Sequence, residues 1–289
     1  MITAKGEPRA QVALERLETL WLNTGTLCNL ACATCYIESS PTNDALVYLS
    51  LAEAELYLDE AAALGTREVG FTGGEPFMNP DIVPMIRAAL GRGFDVLVLT
   101  NAMRPMRRFE AALLDIPPAE RARLIFRVSL DHHARAVHEA ERGAGTWEKA
   151  LSGLEWLAGN GFPVAVAGRR LGDEEAARRG YESLFAGLGV TPRHLVLFPA
   201  MDPAADVPEI SESCWSILGV LPSSPMCATS RMVVKAKGAA RPHVVACTLL
   251  PYDSRFALGE SLAGAAGPVP LNHPHCARFC VLGGASCSA

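Results

Sequence analysis

The sequence predicts an α/β fold of successive parallel βα units, followed by a smaller cysteine-rich unit. Three observations lead there. Between about residues 20 and 200, short apolar runs rich in β-branched and aromatic residues alternate with longer helix-like stretches. The residues able to do chemistry fall just after those apolar runs, where a parallel barrel or sheet places its active site. From Pro203 onward the texture changes to Pro, Ser, Gly and Cys with few long periodic stretches, which reads as a unit held together by ligands.

Six strands are expected, at 20–24, 68–72, 95–100, 124–130, 163–167 and 194–198. Each is a short apolar run with flanking breakers. Helices are expected at 51–64, 82–91, 107–114, 146–160 and 174–188. The first opens after Ser50, with Glu53 three residues on in capping-box spacing. Right-handed crossovers wrap such units into a barrel or an open sheet, and six are too few for a closed eight-stranded barrel. In the C-terminal part, 207–221 reads as a short helix. The segments 231–237 and 243–247, joined by a Gly-Ala-Ala-Arg-Pro turn, read as a β-hairpin.

Composition narrows the class. The chain has 289 residues, 49% of them apolar and 20% charged, enough for one large α/β domain plus a smaller unit and too apolar for extended disorder. A net charge of −5 leaves no basic footprint for nucleic acid. The cluster Arg104, Arg107 and Arg108 reads as a solvated helix face. No run reaches membrane-spanning length. The first twenty residues carry Lys5, Arg9, Glu15, Arg16 and Glu18, so a secretory signal is not expected. Nine cysteines without such a signal point to a reducing, cytoplasmic setting and to metal ligation, and the count fits three plus four ligands with two left over.

Three of those cysteines, Cys28, Cys32 and Cys35, stand in C-x3-C-x2-C spacing just after the first strand, followed by Tyr36. Three thiolates suit a four-iron cluster with one iron open; a tetrahedral zinc site would want a fourth nearby ligand, and Cys214 is far along the chain. The competing reading is a structural metal knot or three unrelated buried thiols. The loop, with its aromatic residue, resembles the signature of the radical S-adenosylmethionine (radical SAM) superfamily. That resemblance implies a partial (β/α)6 barrel and a [4Fe-4S] cluster whose open iron chelates the methionine part of SAM. It also implies reductive cleavage to methionine and a 5′-deoxyadenosyl radical, which removes a hydrogen atom from substrate.

Further motifs carry the same resemblance. Gly73-Gly74-Glu75-Pro76, after the second strand, resembles the family's GGEP motif, in which the glycines admit the methionine amino group and the glutamate accepts its hydrogen bond. Ser129 and Asp131, two apart at a strand end, share a face and are implied to meet the ribose hydroxyls of SAM; for Asp131 a helix or turn cap is the rival reading. Asn101, in Thr100-Asn101-Ala102, resembles a Thr-Asn-Gly turn without its glycine. The segment from His138 to Gly143 resembles that of cofactor-maturing members. There Arg142 would pair with the SAM carboxylate, a surface salt bridge being the rival. His132 and His133 are adjacent on an extended segment, so they are expected to point oppositely and to be loop residues.

The remaining cysteines are Cys227, Cys247, Cys276, Cys280 and Cys287, with Cys214 beside Trp215. The hairpin would bring Cys227 and Cys247 together at its open end. With the terminal cysteines this looks like the twitch or truncated SPASM extension, which holds an auxiliary [4Fe-4S] cluster. The resemblance departs in the three-residue gap between Cys276 and Cys280. One auxiliary cluster is expected, on Cys227, Cys247, Cys276 and Cys280, with Cys287 the substitute for one of the last pair. Four thiolates on a hairpin and knuckle suit zinc equally on spacing alone. Cys214 reads as a small buried hydrophobe, with a substrate-facing thiol as the lesser reading.

The expectation is therefore a partial barrel over 1–203 and a twitch-like unit over 204–289, acting as a radical SAM oxidoreductase that dehydrogenates or cross-links. Its electron donor would be a flavodoxin or ferredoxin. Because few residues precede the first strand, a small-molecule substrate is favoured over a peptide. The alternatives are a peptide or protein maturase served by a separate recognition partner, and a non-enzymatic iron–sulfur redox sensor.

Overall fold

A computed structural model describes residues 1–199 and 208–287. Its centre is a nine-stranded sheet of β1 Thr19–Asn23, β2 Glu68–Thr72, β3 Asp95–Thr100, β4 Leu124–Ser129, β5 Val164–Arg170, β6 Leu195–Pro199, β7 Ser230–Val234, β8 His243–Val245 and β9 Ala257–Gly259. Strands β1 to β6 pair in sequence order and in parallel, from Leu20 beside Val69 to Leu197 beside Gly168. All six strands expected from the apolar runs are present. The sheet stays open, as six units require, with β6 at one edge and β9 at the other.

Helices α1 Leu51–Ala63, α2 Ile82–Gly91, α3 Arg135–Arg142, α4 Trp147–Gly159 and α5 Glu174–Leu188 make the longer crossovers. The Ser50–Glu53 capping box forms, with the Ser50 hydroxyl accepting from the Glu53 N–H and the Glu53 carboxylate accepting from the Ser50 N–H. The helix expected at 107–114 is two short turns, Arg104–Arg107 and Glu110–Leu114. Pro105 starts the first of them early, and Phe109 interrupts the pair with non-helical torsions.

The hairpin is β7 and β8, paired Met232 to Val245, and β9 adds a third antiparallel strand. Its first strand also pairs in parallel with β1, Leu20 beside Arg231. The cysteine-bearing hairpin thus continues the sheet whose first loop carries Cys28, Cys32 and Cys35. The boundary expected at 203/204 lies outside the described residues, as does Val207. The helix expected at 207–221 is corrected: among its described residues, 208–221, only Cys214–Leu218 is helical, and Gly219 ends it in the left-handed region.

Helix α4 presses on the turn after β3. Ala102 takes φ +57°, the left-handed conformation for which the missing glycine of that turn would be suited. A Cβ at Gly153 would stand 1.8 Å from the Ala102 carbonyl oxygen. Gly153→Ala must push helix and turn apart, and it is expected to lower unfolding stability by about 1–3 kcal/mol. Urea denaturation measures this, and an unchanged midpoint would contradict the packing argument.

Candidate active site

The first two loops lock together through their backbones. Gly74 N–H donates to the Gly25 carbonyl at 2.8 Å and Glu75 N–H to the Leu27 carbonyl at 3.1 Å. A Cβ at Gly74 would lie 2.3 Å from the Leu27 oxygen, and Gly73 has φ +141°. Only glycine permits this approach. The cysteine loop is then tied to the far side of the barrel. Ala33 N–H donates to the Glu141 carbonyl at 2.8 Å, the Thr34 hydroxyl to the Glu141 carboxylate at 2.6 Å, and Arg169 to the Thr34 carbonyl at 3.0 Å.

These ties gather Cys28, Cys32, Cys35 and Tyr36 around one cavity at the strand ends. Gly73, Gly74, Asn101, Ser129, Asp131 and Arg142 line it as well. Leu99, Phe198, Leu249 and Phe279 supply apolar wall. Of the residues selected from sequence for SAM, Glu75 stands apart: it is 2% exposed and lies under the cavity rather than on its wall. One carboxylate oxygen accepts from the Thr100 hydroxyl at 2.8 Å and the Phe77 N–H at 3.2 Å; the other accepts from the Asn101 N–H at 2.8 Å. Burial pushes its pKa up to about 7 despite those donors. In this arrangement Glu75 fastens the β3 loop to the β2 loop. Asn101 in turn donates to the Asn29 side chain at 2.9 Å.

Asp131 and Arg142 pair with each other. The guanidinium of Arg142 donates to both Asp131 oxygens, at 2.8 and 3.2 Å, with side chains 5% and 13% exposed for Asp131 and Arg142. Arg169 stands 3.4 Å from the same carboxylate. Burial opposes ionisation of Asp131, yet Arg142 first and Arg169 after it hold the carboxyl below its usual range. The surface-salt-bridge reading of Arg142 is corrected, because the pair is buried on the cavity wall. Asp131 caps no helix, since the N-cap of α3 is Ala134.

Sequence reasoning missed Arg127 and Arg169, both of which line the cavity. Arg127 had a signal: it lies two before Ser129 in an otherwise apolar strand, so it shares the inward face. Arg169 had none, because strand β5 runs three residues past the expected end at 167. Of the two expectations for His132 and His133, opposite pointing is overturned and the loop placement holds. The rings of His132 and His133 lie side by side with centroids 4.1 Å apart and tilted by 31°, and His133 meets Tyr181 edge-on. They are loop residues, and neither lines the cavity.

Cys227, Cys247, Cys276 and Cys280 line a second, smaller cavity. Cys276 and Cys280 share a π-helical turn, Cys276–Val281, whose wider winding brings residues four apart to one face. That accommodates the three-residue gap. Fully buried Arg231 holds the surroundings together by donating to the carbonyls of Ala265, Cys227, Ser230 and Gly267. Cys287 lines the first cavity and not the second. Cys214 is half-buried and its sulfur accepts from the Ser211 N–H at 3.4 Å.

All nine cysteines are free thiols. Burial pushes Cys28 and Cys227 up to about 12 and Cys276 to about 11, and raises Cys247 and Cys280 as well. Buried thiols of this kind become ligands when a metal's charge displaces the proton. Among the described residues no three His, Cys, Asp or Glu side chains form a single-ion site. All the cysteines but Cys214 are spread around the walls of two cavities. Cys28, Cys32 and Cys35 share their cavity wall with the polar side chains of Asn101, Ser129, Asp131 and Arg142, a donor set that suits a [4Fe-4S] cluster with SAM. Among the described residues no helix is long and apolar enough to cross a membrane.

Two substitutions test the electrostatics. Asp131→Asn leaves buried Arg142 without its counter-charge and is expected to cost about 3–5 kcal/mol in denaturant unfolding; a loss below the exposed-pair range would refute burial of the pair. His138 on α3 is fully buried against Trp147, with neither ring nitrogen hydrogen-bonded. Burial first, then Arg142, pushes its pKa down to about 4. The unfolded imidazole, near 6.5, binds protons that the folded one refuses, so stability is whole above about pH 6.5 and falls as pH drops toward 4. His138→Phe should flatten that stretch of the stability–pH curve; parallel curves would refute it.

The family model described as the radical SAM superfamily matches residues 22–175. Over 141 residues the chain is 31% identical to the antilisterial bacteriocin subtilosin biosynthesis protein AlbA of Bacillus subtilis (strain 168), covering 48% of this chain and 30% of that one. It is 31% identical over 144 residues to the mycofactocin maturase MftC of Mycobacterium ulcerans (strain Agy99), covering 48% and 36%. With the AdoMet-dependent heme synthase of Methanosarcina barkeri (strain Fusaro / DSM 804) the identity is 30% over 144 residues, covering 48% and 38%. The matched region thus spans about a third of the length of these curated relatives. Among solved structures, Streptococcus suis SuiB bound to S-adenosylmethionine superposes with a TM-score of 0.64 at 11% identity, over 84% of this chain and 63% of that one. Hexahistidine-tagged anSMEcpe with bound AdoMet superposes with a TM-score of 0.63 at 13% identity, over 93% and 84%.

Proposed function

Since the chain belongs to the radical SAM superfamily, we propose that it is a maturase that removes a hydrogen atom from a peptide substrate and carries a second iron–sulfur cluster. The observation that carries this reading is the shared cavity: the three loop cysteines, the glycine pair and the Ser129/Asp131 strand end all line it. Cys28, Cys32 and Cys35 would hold the SAM cluster, and Cys227, Cys247, Cys276 and Cys280 the auxiliary one. When bound, the first cluster supplies the electron that cleaves SAM and the second takes one from the substrate, which suits dehydrogenation or cross-linking.

The protein's own residues bind and orient. The Gly73-Gly74 edge admits the methionine end of SAM without a side chain in the way. Ser129 offers a hydroxyl to the ribose, while Asp131, held by two arginines, presents a fixed charge rather than a mobile one. Leu99, Phe198, Leu249 and Phe279 exclude water from the region where a radical must survive. The barrel would run to about residue 203 and the twitch-like unit from 204. Reducing cytoplasm would suit both thiol sets, and a flavodoxin or ferredoxin would deliver the electron.

Peptide is preferred because AlbA and MftC are named for biosynthesis and maturation, and because SuiB has been solved with its precursor peptide SuiA. A small-molecule substrate is the second reading, favoured by the heme synthase relatives. Anaerobically reconstituted protein given SAM and dithionite is expected to release 5′-deoxyadenosine and to contain roughly eight irons per chain. Cys32→Ser should abolish the release and remove about four of those irons. No release with both clusters intact would leave a redox protein, and about four irons with one zinc would replace the auxiliary cluster. Stimulation by a precursor peptide encoded beside the gene supports the peptide reading; stimulation only by a low-molecular-weight extract supports the second.

A further inference from the structure

Arg231 is the second residue of β7, four residues after Cys227, and it is 0% exposed. Its guanidinium donates Nε–H to the Ala265 carbonyl at 2.9 Å, Nη1–H to those of Cys227 at 2.5 Å and Ser230 at 2.8 Å, and Nη2–H to that of Gly267 at 3.1 Å. Hydrogen bonding is thereby satisfied, but charge is not, because every acceptor is a neutral carbonyl. Among the described residues the ionisable groups that face it are thiols, Cys227 first and Cys247 after it. Both line the second cavity, with Cys276 and Cys280. Arg142 solves the same problem differently, since the carboxylate of Asp131 lies against it. A guanidinium stays protonated inside a protein, and a buried ion without a counter-charge is costly to keep. The position of Arg231 therefore calls for an anion. The thiol cavity beside it is where one forms when thiols become ligands.

Resting on the two-cluster reading above, we propose that Arg231 is the fixed counter-charge of the second thiol set and raises the reduction potential of the iron–sulfur cluster held there. A cluster on four thiolates is a net anion, and an electron added to it adds one more negative charge. A cation fixed beside it, in an interior that screens poorly, stabilises the reduced form more than the oxidised one. Arg231 is fixed in this sense, because its acceptors lie on the Cys227 turn, on β7 itself and on the turn at 264–267. The consequence falls on the direction of electron flow. The substrate radical is oxidised by one electron and gives one proton to solvent as its new double bond or cross-link closes. That electron passes to the cluster, and an external one-electron acceptor of the flavodoxin or ferredoxin class removes it. Arg231 favours the middle transfer by holding positive charge where the extra negative charge arrives. Stapling the turns through four hydrogen bonds is a separate role, which a neutral donor could fill in part.

Potentiometric titration followed by electron paramagnetic resonance separates the two roles. The full-length chain is reconstituted anaerobically in the Cys32→Ser background, which leaves the second thiol set to report alone, with Arg231 intact or as Arg231→Lys or Arg231→Gln. Lysine keeps the charge and loses the planar fork, whereas glutamine keeps a donor and loses the charge. The midpoint in Arg231→Lys should stay near that of the intact Arg231 protein. In Arg231→Gln the ratio of reduced to oxidised cluster at a fixed potential should fall about tenfold, a downward shift of about 59 mV for one electron. Where glutamine prevents the cluster from assembling and lysine retains it, the charge is what holds the anion, which supports the proposal. An unchanged midpoint in Arg231→Gln overturns it. So does a lysine variant that follows glutamine, in a lowered midpoint or in lost iron, because the fork rather than the charge would then matter. Iron well below about four per chain with Arg231 intact, or zinc in its place, overturns the two-cluster reading and this one with it, whereas about four irons and an unmoved midpoint overturn this one alone.

Discussion

A single buried carboxylate holds the mouth of the barrel together. Glu75 reaches from the end of β2 to the end of β3, accepting hydrogen bonds from Thr100 and Asn101, while its own N–H is bonded to the loop after β1. Three strand ends thus share one residue. A carboxylate buried this deeply is costly unless every lone pair has a donor. Here the donors are backbone N–H groups and a hydroxyl from the loops being joined, so desolvation and loop geometry enforce one another. Its pKa, pushed up to about 7, has burial outweighing those donors. The glycines before it belong to the same constraint, because a side chain at Gly74 would collide with the loop that Glu75 is fastening.

The opposite rim is fixed by charge. Asp131 lies between Arg142 and Arg169, and the helix that supplies Arg142 also supplies Glu141, which grips the cysteine loop through Ala33 and Thr34. The loop is therefore held on one side by backbone bonds to the glycine motif and on the other by α3. Breaking a buried pair costs more than forming it contributes. The arrangement is best understood as setting position, with Asp131 and Arg142 defining where the Cys28–Cys35 loop can sit relative to the β4 strand end.

The two thiol sets are joined by the sheet itself. Strand β7, which follows the Cys227 turn, pairs in parallel with β1, which leads into the first cysteine loop. The relative placement of the two cavities is then a matter of backbone register rather than of a flexible linker. Arg231, at the start of that pairing, satisfies four carbonyls and keeps the second cavity's turns in place.

Local signals in the chain determined a good deal. Apolar runs and breakers located all six barrel strands, because strand and helix periods are written in neighbouring residues; the Cys28–Cys32–Cys35 spacing and the Gly73-Gly74 pair marked the loops that line one cavity for the same reason. What tertiary structure alone decided were contacts between distant segments. Glu75 turned inward to protein donors, since burial and the β3 loop, 26 residues away, set its partners. Arg169 entered the site because β5 extends beyond its apolar core, and the rings of a pair of histidines came side by side. Cys287 lines the larger cavity, and Arg127, 160 residues earlier, donates to its carbonyl. Spacing can count ligands, but which wall a thiol faces depends on hydrogen bonds that form only when the sheet has closed around it.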